Sequence, residues 1–270
     1  MRLGGLQRTT LSDFPGRVAC AVFTAGCTLR CPYCHNPELV GPVDDAGDPG
    51  PGVGPGTASE TDSAIDPGAP SETDSAADPG APSGADSAAD LEIDEAAFFA
   101  FLDDRADVLD GVVVSGGEPT LHDDLPAFVA RIADRGLDVK LDTNGTRPDS
   151  LERVLSAGTV EYVAMDLKAR PDRYGELGAA VGERVRESVA VVRESGVEHE
   201  FRTTFDPGVV SAADFRRLFD LVGDSPLVVQ PVETESVLRP DRVTQTPDDP
   251  LGAIQEAAGE LPPNVELRGT

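Results

Sequence analysis

Lysine is nearly missing from this chain of 270 residues: Lys140 and Lys168 are the only two, against 22 basic and 49 acidic residues. The formal charge of −27 leaves no basic face, which excludes a nucleic-acid or anionic-membrane surface. A carboxylate-dense, lysine-poor composition is what keeps a protein soluble in concentrated salt, where self-repulsion is screened. Long apolar runs are absent too, and none approaches the length of a membrane span. The opening MRLGGLQRTTLSDFPG has no apolar core of a signal peptide, so the expectation is a cytoplasmic protein. Cysteine is scarce, with four in the chain, yet three of them crowd into the stretch from Cys27 to Cys34. In a cytosolic chain such crowding points to metal or redox chemistry more than to disulfides.

What is there in excess is concentrated in one segment. From Pro42 to Asp90 the chain carries eleven acidic residues, no Lys, Arg or aromatic, and a twelve-residue near-repeat, SETDSAIDPGAP then SETDSAADPGAP. Such a segment cannot bury enough apolar surface to offset the entropy of ordering it. It lacks the apolar face that stacked repeats need and the regular Gly-Asp pattern of calcium-binding ones. The expectation is a disordered acidic insertion over 42–90 within a single domain formed by 1–41 and 91–270.

Outside it, short apolar runs alternate with helical patterns. Strands are predicted at Val18–Gly26, Gly111–Gly117, Asp138–Gly145, Val160–Lys168, Glu198–Phe205 and Pro226–Val232. Helices are predicted at about Asp94–Arg105, Asp124–Arg135, Ser150–Ser156, Gly182–Ser195 and Ala212–Leu221. Ser150 and Ser211 are the candidate N-caps, and Phe215, Leu218, Phe219 and Val222 share one helix face. Six strands alternating with helices imply an α/β fold with parallel pairing. Polar residues cluster where these strands end, and in parallel sheets and barrels that end carries the site.

The stretch CTLRCPYCHN sets Cys27, Cys31 and Cys34 at the spacing C-x3-C-x2-C. Thiolates so spaced on one loop can turn toward a single cubane and hold three of its irons, leaving the fourth open. A structural zinc site needs four ligands, and His35 is the only neighbour able to complete one, awkwardly, since it adjoins Cys34. Cys20, inside the first strand pattern, reads as a buried core thiol.

With Tyr33 before the last cysteine and SGGEP at Ser115–Pro119, the sequence resembles the radical S-adenosylmethionine (SAM) superfamily. More closely, GGLQRTTLSDFPG, CPYCHNPELV, DGVVVSGGEPTLHDDLP, VKLDTNG, YVAMDLKA and FRTTFDPG are similar, in order, to the activating proteins of anaerobic ribonucleoside-triphosphate reductase, which are glycyl-radical activating enzymes. The resemblance implies a partial (β/α)6 parallel barrel, a 4Fe-4S cluster on Cys27, Cys31 and Cys34, and S-adenosylmethionine on the open iron. Reductive cleavage of that cofactor would yield a radical that takes hydrogen from a glycine of the reductase. The chain holds no second cysteine cluster, so a flavodoxin or ferredoxin would deliver the electron.

Site roles follow from the same resemblance. Tyr33 would lie against the adenine, Gly116 and Gly117 would let backbone approach the cofactor, and Glu118 would stand near its ammonium. Arg202 would pair with its carboxylate, and Asp142, Asn144 and Lys168 would complete the pocket. Asp13 and Gly16 of DFPG would shape the entrance for the glycyl loop, and His35 would act from outside the first layer of contacts. Asp142, Thr143 and Asp166 bring two carboxylates together with few cations in sight, which with the resemblance suggests a bound K+ or Na+. Two alternatives stand beside this reading: a small-molecule enzyme resembling 7-carboxy-7-deazaguanine synthase, and a non-catalytic zinc-binding module.

Overall fold

The apolar runs become six consecutive strands of one sheet in the computed structural model, which describes residues 1–41, 93–234 and 236–268. They are β2 (Ala19–Thr24), β3 (Gly111–Gly116), β4 (Asp138–Thr143), β5 (Tyr162–Asp166), β6 (Glu198–Phe205) and β7 (Leu227–Pro231). Two further strands extend the edges. β1 (Leu3–Thr10) pairs antiparallel with β2, and the short β8 (Val265–Leu267) pairs parallel with β7. The spatial order follows the chain from β1 to β8, and every pair from β2 onward is parallel. Among the described residues no pairing joins β8 to β1, so the sheet is an open, partial barrel of the expected α/β class. The acidic stretch 42–90 lies outside the described residues.

Alternation along each strand divides the residues between two faces. On one, Val112, Val114, Val139, Leu141, Val163 and Met165 belong to the main core with the helices. These are α1 (Pro37–Val40), α2 (Glu95–Arg105), α3 (Leu125–Ala133), α4 (Pro148–Ser156), α5 (Gly182–Glu194), α6 (Phe215–Val222) and α7 (Pro250–Ala258). The four apolar residues assigned to one face of α6 are all buried there, each contributing roughly 1.5–3 kcal/mol. On the other face a smaller cluster forms from Phe14, Ala19, Ala21, Val113, Tyr162 and Ala164. None of the helices among the described residues is long and apolar enough to cross a membrane.

The helix starts divide. Ser211 and Asp214 form a reciprocal capping box before α6, as the sequence suggests. Ser150 does not cap α4, which begins two residues earlier: Pro148 occupies the first turn, where its missing N–H costs nothing, and Ser150 is buried inside.

Register then sets the site. Thr24 pairs with Gly116, Thr143 with Met165, and Asp166 with Arg202, so the C-terminal ends of β2 through β6 lie side by side. Because β1 runs the other way, it carries the chain away from this end. The DFPG turn that follows it lies at the opposite end, where Arg17 pairs with Asp138 and Phe14 packs near Tyr162. Asp13 is held there by the Thr10 hydroxyl at 2.8 Å. Asp13 and Gly16 therefore do not adjoin the cysteine loop.

Candidate active site

The cysteine loop leaves β2 and is fastened at once to the loop after β3. Gly117 N–H donates to Thr24 O at 2.9 Å, and Glu118 N–H to Gly26 O at 2.8 Å. The fit is so close that a Cβ on Gly117 would lie 2.0 Å from Gly26 O, and one on Gly116, at φ +113°, would lie 2.2 Å from Thr24 N. These glycines are required by backbone packed on backbone, Gly116 against the end of β2 and Gly117 against the start of the cysteine loop.

Glu118 is fully buried and both oxygens of its carboxylate accept hydrogen bonds. It accepts the Thr120 N–H at 3.1 Å and the Thr120 hydroxyl, the Thr143 hydroxyl at 2.7 Å and the Asn144 N–H at 2.7 Å. Burial raises its pKa against these donors. It binds the loop after β3 to the loop after β4. Asn144 extends this tie to the cysteines, its amide nitrogen 3.6 Å from Cys27 Sγ and 3.1 Å from Thr28 Oγ1.

The cysteine loop is also anchored by Arg30, Leu238 and Arg239, which the sequence reading did not single out. Arg30 donates to the carbonyls of Cys27 and Leu29, both at 3.0 Å. Leu238 N–H and Arg239 N–H reach Cys34 O and Pro32 O from the C-terminal part of the chain. Tyr33 is buried, and its hydroxyl donates to Lys168 O at 2.8 Å, while Lys168 N–H donates to the Tyr174 hydroxyl. Tyr33 thus bolts the loop to the end of β5. His35 is half-exposed, 3.9 Å from Glu233.

Burial pushes the Cys27 thiol up to about 11 and the Cys31 thiol up to about 12, the latter opposed by Lys168, and it raises Cys34 as well. Each thiol must lose its proton to become a ligand, so loading with iron releases protons. The three sulfurs come from one loop, and the fourth cysteine, Cys20, is buried in β2. Among the described residues no three His, Cys, Asp or Glu side chains converge as a single ion requires. A cubane, which takes each thiolate on a different iron, asks for no such convergence, and this donor set fits one.

Next to the loop lies a charged floor on the inner face of the sheet. Asp142 Oδ1 accepts Lys140 at 2.5 Å, and its Oδ2 accepts the Ser115 hydroxyl at 3.1 Å and lies 3.4 Å from Arg202. Asp166 takes both Nε and Nη2 of Arg202, at 2.8 and 3.2 Å, and Lys168 at 3.1 Å. Burial would raise the Asp166 carboxyl, but Arg202 and Lys168 outweigh it and bring it down to about 2. Asp142 is likewise lowered by Arg202 and Lys140 against burial. Lys168 is raised, since Asp166 overcomes the opposite effect of burial, and Arg202 is held well above the guanidinium range by the two aspartates.

The expectation that few cations lie near these two aspartates does not hold. Asp142 and Asp166 do adjoin, but three cationic side chains face them, and the Thr143 hydroxyl is turned away to Glu118. Three positive groups against two carboxylates leave a net positive charge, suited to the carboxylate of a ligand.

The model of the radical SAM superfamily matches residues 21–222. A Methanocaldococcus jannaschii protein named as a glycyl-radical enzyme activating enzyme is 26% identical over 232 residues, covering 83% of this chain and 77% of its own length. The benzylsuccinate synthase activating enzyme of Thauera aromatica is 54% identical over 33 residues, which is 12% of this chain and 10% of that protein. Streptococcus suis SuiB bound to precursor peptide SuiA shares the fold, with a TM-score of 0.50 at 16% identity, over 64% of this chain and 41% of SuiB.

Proposed function

The chain belongs to the radical SAM superfamily, and on that basis we propose that it activates a glycyl-radical enzyme, specifically an anaerobic ribonucleoside-triphosphate reductase. The observation that carries the reading is the loop of Cys27, Cys31 and Cys34, three thiols without a fourth, fastened to SGGEP. The names of the Methanocaldococcus and Thauera relatives support the activating class. The motifs running from GGLQRTTLSDFPG to FRTTFDPG support the reductase as partner.

When bound and reduced by one electron, a 4Fe-4S cluster supplies the cleavage of S-adenosylmethionine to methionine and the radical that removes hydrogen from a glycine Cα. Cys27, Cys31 and Cys34 hold the cluster. Asn144, Arg30 and Tyr33 fix the loop that carries them, so that the sulfurs keep their geometry. Arg202 and Lys168 orient the cofactor carboxylate through charge-assisted contacts. Burial of the loop among apolar residues excludes water from the reacting centre. The electron comes from a separate flavodoxin or ferredoxin, since no second set of cysteines exists in the chain to relay it.

The test is spectroscopic. Reconstituted protein, a reductant and S-adenosylmethionine are incubated anaerobically with the reductase of the same organism, and the mixture is examined by electron paramagnetic resonance. A glycyl doublet, with one 5′-deoxyadenosine formed per radical, supports the assignment. Steady cleavage without any glycyl signal refutes it and moves the substrate to another class.

A further inference from the structure

A chain that uses arginine for almost every positive charge keeps lysine at two places, and both face the same pair of carboxylates. Lys168 stands on Asp166. Lys140, on β4 two residues before Asp142, is only 2% exposed and stands on Asp142. A lysine buried this deeply is retained only when its charge is matched. Its compact ammonium is a point charge, unlike the flat fork of arginine. Asp142 and Asp166 also oppose each other, each carboxylate disfavouring ionisation of its neighbour, so positive charge between them has something to stabilise.

We propose that Lys140 is a positioning residue whose tethered ammonium supplies the positive charge that this aspartate pair would otherwise draw from a bound monovalent cation, so that cofactor binding and cleavage require neither K+ nor Na+. The oxygen count agrees. Asp142 Oδ1 is taken by Lys140, Asp142 Oδ2 by Ser115 and Arg202, and both oxygens of Asp166 by Arg202 and Lys168. Thr143 Oγ1 accepts the Gly145 N–H at 3.1 Å while its proton goes to Glu118, so no oxygen of this trio is left without a donor. Lys140 thereby keeps Asp142 ionised and aligned with Arg202, the group that meets the cofactor carboxylate.

The inference rests on superfamily membership and on the proposed cofactor contacts, not on the identity of the glycine-bearing partner. Its test needs no partner. Cluster-loaded enzyme is compared at constant ionic strength in tetramethylammonium, Na+, K+ and ammonium salts, by equilibrium dialysis of S-adenosylmethionine and by thermal unfolding. Wild-type affinity and melting midpoint are expected to be indifferent to the cation, within about twofold for affinity. Lys140→Ala, which opens space for a small cation, is expected to lose about tenfold in affinity in tetramethylammonium and to regain it in ammonium or K+. Lys140→Met fills the same space without charge and is expected to stay weak in every salt. A wild-type requirement for K+ or Na+ overturns the proposal, as does a Lys140→Ala protein that binds like wild type in tetramethylammonium. If neither variant folds, the wild-type series alone decides.

Discussion

The buried carboxylate of Glu118 accepts the backbone N–H of Asn144 at 2.7 Å, joining the loop after β3 to the loop after β4. The same carboxylate holds Thr143 and Thr120, and Asn144 reaches Cys27 Sγ, so SGGEP, DTNG and the cysteine loop are tied together. Glu118→Ala strands these buried donors, each at a cost of about 1–3 kcal/mol, and is expected to destabilise by about 3 kcal/mol or more. Glu118→Gln keeps the shape and one acceptor, and should fall between. Chemical denaturation gives the order wild type, Gln, Ala, and an Ala variant as stable as wild type would remove Glu118 from this role.

The glycine pair gives a sharper steric prediction. An Ala at 117 must displace the backbone of Gly26, because its Cβ would overlap Gly26 O, so Gly117→Ala should cost about 3 kcal/mol or more and lower iron content together with stability. Gly175→Ala is the control, since no atom lies within 4 Å of its added Cβ. Equal melting midpoints for the two variants would contradict the packing described.

Much of the architecture was legible because the strands of a parallel sheet are buried on both faces and read as apolar runs. GVVVSGG and PLVVQPV name themselves. β1 was not legible: LGGLQRTT mixes glycine with polar residues, which an edge strand with one neighbour tolerates. The three residues of β8 are too few to show a period. At the site, the cysteines and SGGEP were readable from spacing. The hydrogen-bond partners of Glu118 and Tyr33 were not, because they are properties of the folded chain. Lys140 carried one signal that could have been used, the rarity of lysine in this sequence.

Acid should act on the charged floor in a defined range. Asp166 has a pKa of about 2 in the folded protein, below its ordinary value of 3.8. Its pairing with Arg202 and Lys168 therefore contributes stability that is fully present above about pH 4 and is lost as pH falls through 2. The shift corresponds to about 2 kcal/mol. The stability difference between wild type and Asp166→Asn should accordingly shrink between pH 4 and 2 in denaturant titrations. A difference that stays constant over that range would mean the pair is not coupled to folding.

The central claim is that Cys27, Cys31 and Cys34 hold a cluster able to cleave S-adenosylmethionine, and one measurement addresses it directly. Wild type and Cys31→Ala are reconstituted anaerobically with iron and sulfide, reduced, and given S-adenosylmethionine, and 5′-deoxyadenosine is quantified by chromatography. The account predicts a brown wild-type protein that releases 5′-deoxyadenosine, and a Cys31→Ala protein that remains folded, binds little iron and releases none. Cleavage by Cys31→Ala at the wild-type rate, or a wild type that holds zinc and releases no 5′-deoxyadenosine, would contradict it.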